Sequence, residues 1–190
     1  MSKIDREKWN QRYLDEAFDG PAEANALLRE WVGKTSAGRA LDGACGAGRN
    51  ALYLAERGFN VDAVDISGAA LDLARAAAQA RGLRINWLEH DLDVPLARTA
   101  PYRLIVIVHY VNLPLIQQLA ASLAPGGLLV CEEHLVTDED VIGPTNPAYR
   151  VTSGDLLAAV KGLKILHLEE VLLPQADGRS AALVRLVAGS

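Results

Sequence analysis

The stretch ALDGACGAGRNALYLAERG, residues 40–58, constrains the fold more than any other part of the chain. Residues 39–44 are short and apolar enough for a buried strand. Two glycines, Gly46 and Gly48, then force a sharp turn, and an amphipathic helix follows until Gly58 stops it. A glycine-rich strand-to-helix turn lets a ligand approach the backbone closely. In a parallel sheet such ligands lie at the carboxyl ends of the strands.

The rest of the chain repeats the alternation. Strands are expected over 59–67, 84–92, 103–111 and 128–135, separated by helices over 68–82 and 114–127, with a further helix over 152–162. Two more helical segments, 6–17 and 21–34, precede the first strand. The strands are continuous apolar runs, which suits a mainly parallel sheet covered on both faces. The tail breaks the rhythm: LKILHLEEVLLP and AALVRLVAG flank QADGRS without a helix between them, the pattern of an antiparallel hairpin. The expected fold is α/β and doubly wound (Rossmann-like): seven strands, mainly parallel with a final antiparallel strand, helices on both faces, and an N-terminal helical extension. Its 190 residues read as a single domain, with residues 1–36 as a helical lid and 37–190 as the α/β core.

Charge and cysteine content narrow the function classes. The net charge is −5 and no cluster of Lys and Arg stands out, so no nucleic-acid surface is expected. The two cysteines, Cys45 and Cys131, lie far apart without metal-ligand spacing, and no metal site is expected. Without a disulfide framework, a leader-like N-terminus or an apolar run of membrane-spanning length, the chain reads as soluble and cytoplasmic, with no membrane partner. The oligomeric state stays open.

Three carboxylates mark the ends of the first three strands. Asp42 closes the first, Asp65 closes the second 17 positions after Gly48, and Asp91 closes the third. A carboxylate at the position of Asp65 can accept hydrogen bonds from both hydroxyls of a ribose, and Asp91 can take an adenine amino group. A dinucleotide fingerprint, G-x-G-x-x-G, is the obvious competitor, with Ala51 at its third glycine. Asp42 decides against it, because a carboxylate there repels a pyrophosphate and suits an ammonium group. The pattern favours S-adenosylmethionine, with S-adenosylhomocysteine as its product.

These residues resemble a known family. LDGACGAGRNALYLAERGFNVDAVDIS is similar to the first two motifs of class I S-adenosylmethionine-dependent methyltransferases, and the CGAGRN portion to the small tellurite-resistance and thiopurine methyltransferase-like group. WNQRY, LAPGGLLV and NPAYRVTSGDLL resemble that group's leading helix, its join into the fifth strand and the segment before its last helix. The resemblance implies that Asp42, Cys45, Gly46 and Gly48 surround the methionine part of the cofactor. Asp65 would hold the ribose and Asp91 the adenine, with Ile66 and Leu92 against the base. Trp9, Arg12 and Tyr13 would cover it, and Ala44, Asn50 and His109 complete the expected contacts. Gly43 and Ala44 depart from the family's usual Leu-Gly pair.

The acceptor side is read from VHYVN and CEEHL. His109 and Tyr110 are the candidate catalytic residues, and Asn112 and Glu133 are candidate substrate contacts. CEEHL is expected to be a solvated rim, with Glu133 or His134 as the side chain that could face the cleft. Tyr149 and Arg150 complete the candidate substrate set. The loop after the fourth strand, HYVNLP, lacks the Asn-Pro-Pro-Tyr pattern of enzymes that methylate exocyclic amines of bases, so a small-molecule acceptor is expected. A cofactor-binding module without catalysis, or an NAD-linked oxidoreductase, are the alternatives.

Overall fold

The computed structural model describes residues 3–15, 23–96, 101–174 and 178–190. Helix α1 (Lys3–Asp15) buries none of its residues, and α2 (Ala26–Trp31) follows. The remaining elements run β1 (Arg39–Gly43), α3 (Arg49–Glu56), β2 (Asn60–Asp65), α4 (Gly68–Ala80), β3 (Asn86–Glu89), β4 (Tyr102–Val108), α5 (Leu113–Ala120), β5 (Leu123–His134), α6 (Ser153–Ala159), β6 (Lys164–Pro174) and β7 (Ser180–Gly189).

One sheet holds all seven strands in the order β3-β2-β1-β4-β5-β7-β6. Strands β1 to β5 pair in parallel, and β7 runs antiparallel to both β5 and β6. The order reverses between β1 and β4, so the crevice at their carboxyl ends is where such sheets bind ligands. The expected tail hairpin is β6–β7; residues 175–177 of its connection lie outside the described residues.

Side-chain alternation on β4 divides the core. Leu104 and Val106 pack with Leu28, Leu54 and Val130 under α2 and α3, while Ile105 and Ile107 pack with Leu119, Cys131 and Leu156 under α5 and α6. A strand buried on both faces shows no polar alternation, which is why this run reads as continuously apolar. Burying each such Leu or Ile contributes about 1.5–3 kcal/mol.

Local chemistry moves several boundaries. Helix α2 begins at Ala26, because the Asn25 side chain accepts from the Leu28 amide and caps it there; residues 21–22 of the expected segment lie outside the described residues. Helix α5 ends at Ala120, and APGG belongs to β5. A side chain at Gly127 would press against the carbonyl of Ala124 at 2.8 Å, so glycine lets the strand pass this bend. Thr152 and Asp155 form a reciprocal capping box that starts α6 one residue inside its expected range.

Candidate active site

The turn after β1 is held by three backbone bonds. The Cys45 amide donates to Val64, Gly48 to Cys45, and Leu52 to Gly48 at the head of α3. Ala44, Gly46 and Gly48 all have positive φ, at 56°, 54° and 84°. Ala44 therefore adopts a backbone that glycine takes freely and alanine takes at a cost of about 1 kcal/mol. The two glycines serve different neighbours. A Cβ at Gly46 would lie 2.5 Å from the Tyr13 hydroxyl of α1, and one at Gly48 would lie 2.8 Å from the Trp87 ring of β3. Gly43 also has a packing reason, since a side chain there would overlap the Ile107 methyl.

Asp65 ends β2 against this turn. Its carboxylate accepts from the Gly46 amide at 2.8 Å and the Ser67 amide at 2.9 Å. Burial raises its pKa, and the backbone amides offset part of that rise. Asp42 is 1% exposed, and burial pushes its carboxyl up to about 7 against the pull of the Ala51 amide and the Arg49 charge. Its Oδ2 finds no hydrogen-bond partner among the described residues.

A cavity of about 330 Å³ opens over the turn, lined by Cys45, Gly46, Asn50, Asp65, Ile66 and His109, with Trp9 and Tyr13 as its α1 wall. Ala44 and Tyr110 also line it. Asn50 is buried and accepts from the Asn25 amide, which ties α3 to the start of α2. Asp42 and Gly48 shape the turn from behind. Leu92 is buried in the core, and the Asp91 carboxylate accepts from the Asp93 amide; neither lines this cavity. Helix α1 docks through Asn10, whose Oδ1 accepts from the Ser67 hydroxyl and the Ala69 amide at the head of α4.

A second cavity of about 820 Å³ adjoins the first and shares Trp9, Tyr13, His109 and Tyr110 with it. Arg12, stacked on Trp9 at 5.3 Å, and the half-exposed Tyr149 line it. Arg150 instead donates to the carbonyls of Pro144 and Leu135 and closes the loop between β5 and α6. Asn112 caps α5 through Leu115 and donates to Asp93, which also accepts from the Tyr110 hydroxyl. Burial raises the Tyr110 phenol above its ordinary range.

CEEHL is not a rim. Glu132 and Glu133 are 3% and 0% exposed, because β5 lies between β4 and β7 inside the sheet. Their side chains leave opposite faces of the strand. Glu133 accepts from the Tyr110 amide at 3.0 Å, its other oxygen is partnerless among the described residues, and burial pushes its carboxyl far up. Glu132 accepts from Asn25 at 2.7 Å and from Arg185 at 2.9 Å, and lies 3.4 Å from Nε2 of His109. Those partners hold its pKa below the ordinary value despite burial. His109 has φ +57°, and its ring stacks on His134 at 4.7 Å. Burial and the nearby His109 and Arg150 push His134 down to about 4.

Sequence reasoning left Glu132 and Asn25 out of the polar network behind the site, and left Arg49, Val108 and Asp93 out of its lining. The available signal was strand parity, which says that Glu132 and Glu133 face opposite ways but not which way. Among the described residues no group of three or more His, Cys, Asp or Glu is placed to hold a metal ion. No helix among them is long and apolar enough to cross a membrane.

Residues 40–127 match the family model described as a methyltransferase domain. Glycine N-methyltransferase of Rattus norvegicus is 28% identical over 145 residues, covering 65% of this chain and 50% of that enzyme, so the chain spans half the length of this curated relative. TehB from Haemophilus influenzae superposes with a TM-score of 0.74 at 19% identity, over 97% of this chain and 66% of that one. Magnesium protoporphyrin IX methyltransferase of Synechocystis PCC 6803, with bound SAH, superposes with a TM-score of 0.69 at 18% identity, over 98% of each chain. Residues 40–127 are thus similar to a methyltransferase domain, and the fold around them is the one shared with these solved structures.

Proposed function

We propose that the chain is an S-adenosylmethionine-dependent methyltransferase acting on a small-molecule acceptor, with the smaller cavity as the cofactor site and the larger as the acceptor site. The carrying observation is the turn itself. Asp65 stands at the cavity wall with its carboxylate at the end of β2, and the buried Asp42 carboxylate behind the turn has an oxygen without a partner among the described residues. A ribose and an ammonium group match these two in kind, so the residues fit the cofactor. Asp65 would hold the ribose hydroxyls, Ile66 the base, and the 44–46 backbone the amino-acid part. When bound, this cofactor supplies an electrophilic methyl group on a positively charged sulfur.

What the chain contributes is placement and dryness. Trp9 and Tyr13 of α1 wall both cavities, which supports residues 1–36 as a cover over the 37–190 core. Tyr149 borders the acceptor side. His109 and Tyr110 stand where the two cavities meet, so they are the side chains positioned to orient an acceptor or take its proton. Glycine and magnesium protoporphyrin IX, named for two of the relatives, are both small molecules, which supports the acceptor class.

Titration calorimetry with S-adenosylhomocysteine and NADH tests the cofactor. Binding of S-adenosylhomocysteine without binding of NADH is expected; the reverse refutes the reading. A panel of selenite, tellurite, thiols and small phenols, followed by S-adenosylhomocysteine release, then identifies the acceptor.

A further inference from the structure

Glu132 sits at the centre of a chain of polar side chains that begins at the junction of the two cavities. Across β5 and β7 it pairs in register with Arg185, and across β7 and β6 Arg185 pairs with Glu169. Arg185 donates through Nε to Glu132 and keeps Glu169 at 3.7 Å from Nη1. Asn25 donates to the other Glu132 oxygen, the same oxygen that faces Nε2 of His109 at 3.4 Å. Both oxygens of this carboxylate are thus held by fixed donors, and Glu132 has no freedom to follow a moving imidazole.

His109 is held from the other side as well. Its amide donates to the Glu132 carbonyl at 2.8 Å, its backbone is left-handed, and its ring lies on His134. A strained backbone retained beside a cavity is a common mark of an oriented functional group.

Building on the methyltransferase reading above, we propose that Glu132 is the positioning residue for His109: it holds the imidazole with Nε2–H toward its own carboxylate, so that Nδ1 carries the lone pair that faces an acceptor. The acceptor class follows from that assignment. A fixed basic nitrogen is useful for a nucleophile that must lose a proton, such as a hydroxyl or a thiol. His109 Nδ1 takes the proton from the acceptor's O–H or S–H. The freed electron pair forms the bond to the methyl carbon, and the pair of the broken carbon–sulfur bond stays on sulfur. The imidazolium that results lies against the ionised Glu132, which lowers the energy of the charged ring as it forms.

The tautomer is directly measurable. The chain has four histidines, so long-range 15N–1H NMR of labelled protein resolves the imidazoles, and loss of one set in His109→Gln assigns His109. For the neutral ring, the expected His109 spectrum is one tautomer with Nε2 protonated and Nδ1 bare. In Glu132→Met the two nitrogen shifts should move toward each other as tautomers exchange. The Glu132→Met/Arg185→Met pair, which removes both charges, is the second variant. A wild-type His109 protonated on Nδ1, or shifts unchanged in the variants, overturns the proposal, and the wild-type measurement needs no variant beyond the His109→Gln that assigns it. Calorimetry with S-adenosylhomocysteine on the same samples keeps the two ideas apart. Wild type that fails to bind refutes the methyltransferase reading, while binding with the wrong tautomer refutes the role of Glu132 alone.

Discussion

Replacing Asp42 by Asn should flatten the dependence of stability on pH. The ordinary value of 3.8 for this carboxyl is pushed up to about 7 in the folded chain, chiefly because burial penalises the charged form. Between those two values the unfolded chain has released the proton and the folded chain still holds it. Stability then falls by about 1.4 kcal/mol for each pH unit gained. Across the whole interval the loss is on the order of 4 kcal/mol at this one residue. It is fully present as stability below pH 4 and gone above pH 7. Asn keeps the acceptor that faces the Ala51 amide, fills nearly the same volume and cannot ionise. Urea unfolding followed by circular dichroism, at steps from pH 4.5 to 8, gives both curves. Asp65 and Glu133, whose carboxyls are also raised, contribute a slope of the same sign to both proteins, so the difference between the curves isolates Asp42. Parallel curves would refute the reasoning and mean that the ionised carboxylate is satisfied by something other than the groups around it.

Asp65→Ala removes the acceptor of two backbone amides and a wall of the smaller cavity, and S-adenosylhomocysteine affinity should fall by about 1.5–3 kcal/mol, or roughly 10- to 160-fold, by calorimetry. Ala44→Gly relieves the left-handed backbone, and the urea midpoint should rise by the equivalent of about 0.5–1 kcal/mol. Gly48→Ala should do the opposite by about 1–3 kcal/mol, since it adds both a positive-φ penalty and an overlap with Trp87. His109→Ala should lower turnover, once an acceptor is in hand, far more than it lowers S-adenosylhomocysteine affinity; equal losses in both would reduce His109 to a wall of the cavity.

Much of the fold is legible in the chain because its signals are local. The apolar run of β4 and the Pro-Gly-Gly bend before the body of β5 mark a covered parallel sheet, and the missing helix between β6 and β7 marks the hairpin. Asp65 is legible too, because its place follows from the length of one strand-helix-strand unit. The acceptor side is less legible. Arg150 looks like a cleft residue in sequence, yet its guanidinium closes a loop, and Asn112 looks like a substrate contact yet caps a helix. Both are polar residues in a loop, and sequence does not say which backbone groups a loop will bring to them.

By itself the sequence determined the order of elements, the glycine turn at 46–48 and the carboxylates Asp42 and Asp65 near the ends of the first two strands, all of which follow from short-range backbone preference and hydrophobic period. Asp91 instead falls two residues past β3, which ends at Glu89. Only the tertiary structure decided that Glu132 rather than Glu133 meets His109, and that Arg185, 53 residues further on, would hold it there. Strand parity separates two neighbouring glutamates onto opposite faces. Which face borders the cavity depends on strand order and register, and those are set by contacts between residues far apart in the chain.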